Sequence, residues 1–150
     1  MAVSFVTPYP AMFAHWKKFE AALTAKLLEW VPPDKRLCEW VLLGVSETAP
    51  MQYIWVVCME QPKPDGLFAV VSIPVRVHLD SDGNVKKLEI PGPGANYGPS
   101  IRQLFPKDVQ EKIFNFQAWL DVEQLKAHLI YRFEHPETPP LIVLSTTPTP

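Results

Sequence analysis

The 150-residue chain lacks most of the features that announce a function. No uninterrupted apolar run approaches the roughly 18 residues that a membrane span needs, so no crossing helix is expected. The opening stretch, MAVSFVTPYPAMFAHWKKFE, does not read as a secretory signal. Pro8 and Pro10 interrupt it early, and Lys17 and Lys18 come too late to form a basic start. Ala at the second position gives no myristoylation glycine, and the Thr-Pro-Thr-Pro end offers no prenylation cysteine. The expected setting is therefore cytoplasmic, with no membrane partner.

Cysteine is scarce. Only Cys38 and Cys58 occur, each inside an apolar run. Neither zinc-ligand spacing nor a Cys-x-x-Cys redox motif is present. The expectation is two small buried hydrophobes, with a cross-strand disulfide as the alternative. An excess of one charge is missing too. Fourteen Lys and Arg stand against sixteen Asp and Glu, for a net charge of −2. Phosphate-backbone binding draws its affinity from a basic stripe. None is visible, so nucleic acid is a disfavoured partner. No serine or cysteine sits in a nucleophile elbow. No catalytic residue, cofactor or metal ligand set is assigned.

What the chain has in plenty is proline and aromatic residues. Seventeen prolines, five Trp, four Tyr and eight Phe accompany a hydrophobic content of 47%. The apolar share is that of an ordinary globular protein. A chain of this length buries about two-thirds of its unfolded surface. One compact domain over 1–150 is expected, with an irregular lead-in at 1–9 and a mobile tail at 145–150.

Apolar spacing predicts the elements. From Ala11 to Trp30 neither Gly nor Pro occurs, and Met12, Trp16, Phe19, Leu23, Leu27 and Trp30 recur every three or four residues. That is one stripe of an α-helix, ended by Val31-Pro32-Pro33. Two nearly continuous apolar runs follow, at 37–45 and 52–59. They read as strands covered on both faces. Pairing Ser46 with Met51 places Trp40 opposite Val57 and Leu42 opposite Trp55. In the next strand Val71, Ile73, Val75, Val77 and Leu79 alternate with Ser72, Pro74, Arg76, His78 and Asp80. Asp82-Gly83 suits a two-residue turn. The resulting register sets Arg76 against Glu89, Val77 against Leu88 and His78 against Lys87. Pro74 points to an edge position.

The rest reads as helical. Ser100 is a candidate cap for a short helix at Ile101–Phe105. Pro106 opens another, with Val109, Ile113 and Phe114 facing inward. Asp121 and Gln124 form a capping-box pattern ahead of a helix reaching Glu134, with Val122, Leu125, Leu129 and Phe133 on its stripe. Leu141 to Leu144 is a short final strand. The fold class expected is α+β: an N-terminal helix, a four-stranded antiparallel meander, two or three C-terminal helices and that last strand. The alternative is a sheet curled around an internal pocket.

Candidate sites follow from leftovers. Gly92, Gly94 and Gly98 precede a helix, but their spacing is not the dinucleotide fingerprint and no Lys-Ser or Lys-Thr follows. The loop reads as a structural crossover. Arg76, His78 and Asp80 share one face and form a possible acid–base cluster, against a plain solvated face. His128 and His135 are two histidines without a third metal ligand. Trp30, Trp40, Tyr97, Phe116 and Trp119 fall at element ends or in connections. The segment from Phe114 to Leu120 is too apolar for a solvated linker. It is either buried or a docking patch. Aromatic and Arg residues dominate binding hot spots. The leading reading is a non-enzymatic interaction protein: a regulator, an inhibitor or immunity-type factor, or a complex subunit. Its partner would be another protein, met through Asn96, Tyr97, Arg102, Phe116 and Trp119. The second reading is a small-molecule binder or small enzyme with a pocket between sheet and helices, using Arg76, His78, Tyr97 and Arg102.

Overall fold

The computed structural model describes residues 16–141 and 143–144. Within them α1 (Trp16–Leu27) leads into β1 (Arg36–Val45), β2 (Met51–Glu60), β3 (Val70–Leu79) and β4 (Val85–Glu89). Three helices follow: α2 (Tyr97–Leu104), α3 (Lys107–Phe114) and α4 (Val122–Glu134). Strand β5 (Val143–Leu144) pairs in parallel with Val41 and Leu42 of β1. The sheet order is β4-β3-β2-β1-β5, and β1 to β4 are antiparallel neighbours. The class is α+β.

Two apolar layers explain why β1 and β2 carry almost no polar residue. On one face Cys38, Trp40, Leu42, Ile54, Val56, Val75 and Val77 pack under Phe19, Leu23 and Leu27 of α1. On the other, Val41, Leu43, Tyr53, Trp55, Val57 and Met59 meet Ile101, Val109, Ile113, Leu125 and Leu129. The period of two sends alternate residues to alternate helical layers, so both sets must be apolar.

Several boundaries differ from the sequence expectation. Helix α1 ends at Leu27, three residues early. Trp30 is therefore off the stripe and 66% exposed, while Leu28 and Val31 are buried. The Arg36 guanidinium secures the chain just past the stop, donating to Leu28 O (3.0 Å), which also accepts from Val31 N, and to Val31 O (2.8 Å). Met12, the lead-in at 1–9 and the tail at 145–150 lie outside the described residues. Ser100 does not cap a helix. It sits inside α2, and its Oγ accepts from Gly92 N at 3.0 Å, tying the Gly/Pro loop to the helix. Phe114 does not face inward. It closes α3 and is 49% exposed. Asp121 does cap α4, accepting from Gln124 N at 3.0 Å.

The register of the first hairpin holds only near its turn. Gly44 faces Tyr53 and Val45 faces Gln52, as the Ser46–Met51 pairing requires. A bulge between Leu42 and Gly44 then shifts the ladder by one, so Trp40 faces Val56 and Leu42 faces Ile54. The same shift sets Cys38 opposite Cys58. The two are disulfide-bonded, which corrects the reading of two free buried thiols. Without the extra residue Cys38 would face Met59. The β3–β4 register is the expected one at Arg76, Val77 and His78, opposite Glu89, Leu88 and Lys87, and shifts by one beyond His78, where Leu79 faces Val85. Its turn is longer than two residues. Asp80 N donates to Asn84 O and Gly83 takes φ +84°, a conformation that favours glycine. Pro74 lies beyond the last β3–β4 pair, where β3 is the edge strand.

Candidate functional site

Four groupings of polar or exposed side chains emerge. The most buried joins both helical layers across the free edge of β1. Strand β5 covers β1 only at Val41 and Leu42, so Cys38 has no strand beside it there among the described residues. Side chains take that place. Glu20 of α1 accepts from Cys38 N (3.0 Å), and Arg132 of α4 donates to Cys38 O (2.9 Å). Glu20 and Arg132 also pair with each other at 2.7 Å. Arg132 further reaches Glu39 Oε2 (3.2 Å) and Thr138 O (3.0 Å). Glu39, wholly buried, accepts from Leu141 N (2.7 Å) and meets His128 Nδ1 (2.7 Å). Burial pushes the Glu20 carboxyl up, although the Arg132 charge and the Cys38 N–H work against it. Every carboxylate oxygen named here has a donor, which is what a buried charge requires.

The second grouping lies on the opposite flank of the sheet. Arg76 donates to Glu89 (Nε to Oε1, 2.7 Å) and to Leu104 O (3.2 Å), the carbonyl ending α2. His78 Nε2 meets the same Glu89 oxygen. Burial alone would raise the Glu89 carboxyl. The hydrogen bond from His78 and the Arg76 guanidinium outweigh it and hold Glu89 below its ordinary value. Asp80 does not join them. Its Oδ1 accepts from Asn84 N and Asp82 N in the turn, and those bonds hold it below the usual carboxylate range. Arg76 thus anchors a helix C-terminus, where a cation is favoured.

The third grouping is the surface shared by α2 and α3. The Arg102 guanidinium lies 5.5 Å from the centre of the exposed Phe114 ring. This brings the 91–105 segment against the start of the 114–120 segment. Asn96 and Arg102 are exposed, and Tyr97 is half-buried, with its phenol pushed up by burial. Phe116 and Trp119 are half-buried against the sheet. Phe116 stacks on Trp55 at 5.0 Å, Trp119 meets Trp55 edge-on at 6.2 Å, and Trp119 Nε1 donates to Lys112 O.

The fourth is a cleft of about 480 Å³ between the β1–β2 hairpin and the start of α3. Val45, Glu47, Thr48, Tyr53, Asp108 and Val109 are among its lining residues. Arg76, His78, Tyr97 and Arg102 do not line it. His128 and His135 do not converge either. The ring of Tyr131 lies stacked between them, 6.2 Å from one and 4.0 Å from the other. Among the described residues no group of three or more potential ligands is arranged around a metal position.

Sequence reasoning missed the Glu20–Glu39–Arg132–His128 network. One signal was available, since Glu39 is the lone charge in the run from Leu37 to Val45. It missed the exposure of Phe114 as well. Comparison with protein-family models, with curated proteins and with solved structures returns no match.

Proposed function

We propose that the chain is a non-enzymatic interaction protein, a regulator, an inhibitor or immunity-type factor, or a complex subunit, working through protein–protein contacts on its α2–α3 face. The observation that carries this reading is the apposition of Arg102 and Phe114 at the surface. An exposed aromatic ring under a guanidinium is the residue chemistry of a binding hot spot. Asn96 and the Gly/Pro loop flank it. Phe116, stacked on Trp55, and Trp119, edge-on to it, hold the segment that follows Phe114 against the sheet. A segment held in place lowers the entropy that association must overcome.

Affinity capture from the protein's own cell tests this. A partner protein retained by the wild type and by Trp30→Ala, but lost from Arg102→Glu/Phe114→Ala, supports the reading. Equal retention by all three contradicts the surface assignment.

No described helix is long and apolar enough to cross a membrane. We propose a cytoplasmic setting. That setting has a consequence for Cys38 and Cys58, because cytosolic thiols are kept reduced. Because both cysteines are fully buried in the fold, cells quenched in acid and alkylated under denaturing conditions should then show both labelled. Unlabelled, disulfide-bonded protein would contradict the cytoplasmic setting.

A further inference from the structure

The outer edge of β3 has a chemistry that the α2–α3 face does not use. Strand β4 pairs with β3 only from Arg76 to Leu79. From Val70 to Pro74 no described strand lies on that side. Backbone groups point alternately to the two sides of a strand, and two bonds to the β2 side set the phase. Glu60 N donates to Ala69 O (2.9 Å), and Leu79 N donates to Pro50 O (2.8 Å). Alternate residues from Ala69 to Leu79 therefore turn their N–H and C=O groups to β2, while Arg76 and His78 turn theirs to β4. The outward set continues as Val70, Ser72 and Pro74. The N–H groups of Val70 and Ser72 and the carbonyls of all three have no backbone or side-chain partner among the described residues.

Elsewhere the sheet edges are guarded. Strand β5 covers Val41 and Leu42 of β1, and Glu20 and Arg132 hold the Cys38 backbone. The short β4 carries Lys86 and Lys87, exposed charges of the kind that discourage a further strand. The β3 edge carries no charge, since none occurs from Leu67 to Val75. Leu67 and Val70 are 67% and 39% exposed. Ser72 is fixed in the sheet by Trp55 Nε1, which donates to its Oγ at 2.9 Å. Pro74 closes the slot at one end, withholding an N–H while still offering its carbonyl.

We propose that this edge accepts an extended, uncharged segment of a partner protein as an added strand. The N–H groups and carbonyls of Val70 and Ser72 bond its backbone, and main-chain pairing of this kind supplies the affinity. Its side chains alternate between the face that carries Val70 and the face that carries Val71 and Ile73, so apolar residues suit both. A charged residue there would find no counter-charge on the strand it joins. A second copy of the chain fits less well. The two-fold pairing centred on Ser72 would bring the second copy's Ala69 opposite Val75, where Ile90 follows Glu89 out of β4.

NMR titration of the full chain with a blocked Gly-Thr-Val-Thr-Val-Thr-Gly peptide tests the proposal. The control is the same peptide N-methylated at every inner residue, which cannot pair. Saturable shifts of the Val70 and Ser72 amides are expected, with slowed hydrogen exchange at both and neither effect from the control. Val70→Pro removes an outward N–H at the first position of the strand, where proline is tolerated, and should weaken binding roughly threefold or more. Val70→Lys places a charge on the edge and should also weaken it. Trp30→Ala should bind as the wild type does. Melting curves establish that the variants are folded. No saturable binding, equal binding of the N-methylated peptide, or unchanged binding by both Val70 variants overturns the proposal. Sedimentation of the chain alone supplies a second arm. A wild-type dimer that Val70→Lys dissolves would assign the edge to a second copy and overturn the partner segment.

Discussion

Arg132 is the residue on which most of the interior depends. It comes from α4 and touches Glu20 of α1, Glu39 of β1 and the carbonyls of Cys38 and Thr138. It is 2% exposed, so solvent cannot replace a lost partner. Arg132→Met would leave Glu20 and Glu39 buried without their common cation. A loss of about 3–5 kcal/mol is expected in urea unfolding at neutral pH. A loss under about 1 kcal/mol, the range of a surface ion pair, would show that the network contributes little.

Glu89 and Glu20 make opposite demands on pH. Glu89 is held below its ordinary 4.5, so the unfolded chain takes up its proton first on acidification. The stability it contributes is complete above 4.5 and is lost as pH falls through the lower folded value. Glu20 is held above 4.5, so the folded chain binds its proton first. Its contribution therefore grows as pH falls from neutral toward 4.5. Glu89→Gln should flatten the acid limb of the stability curve below 4.5, and Glu20→Gln should remove the gain above it. Urea midpoints measured across that range check both. Unchanged curves would mean that neither carboxyl is coupled to folding.

At the scale of elements, the part of the β1 edge that no described strand covers is the feature that ties the most elements together. Unpaired edge groups invite strand addition. Here Glu20 and Arg132 satisfy the N–H and C=O of Cys38 as a neighbouring strand would. The disulfide then fixes the same residue to β2. With a sequence separation of 20 between the cysteines, reduction should cost about 3 kcal/mol if chain entropy dominates. Unfolding midpoints with and without a dithiol reductant measure this. An unchanged midpoint would mean that the strand pairing already holds β1 and β2 in place.

Much of this level was legible in the sequence, and the exceptions share a cause. Strict alternation in β3 fixed its pairing with β4, because one slipped residue would turn Val75 and Val77 outward. Continuous apolarity in β1 gives no such protection. Both faces of β1 are buried, so the bulge between Leu42 and Gly44 left no trace in the pattern. The cysteine pair was hidden with it. Phe114 was misread because its spacing from Val109 and Ile113 fits an inward face, while α3 stops at Phe114 itself. The buried charges were hidden for a different reason. Glu20, Glu39, His128 and Arg132 are brought together only by tertiary packing, and sequence spacing carries no record of that.

For the whole molecule, one sheet between two helical layers leaves most ionisable interior groups tied into the scaffold. Arg76 anchors α2, and Arg132 joins α1, β1 and α4. What the scaffold presents outward is the Arg102–Phe114 patch, where the consecutive helices α2 and α3 adjoin. The claim that this patch is the contact surface is tested most directly by site-specific photocrosslinking in the protein's own cell. A photoreactive residue would replace Phe114 in one variant and the more exposed Trp30 in another. The account predicts a discrete protein adduct from position 114 that disappears on adding Arg102→Glu, and no matching adduct from position 30. No adduct at 114, or the same adducts from both positions, would contradict it.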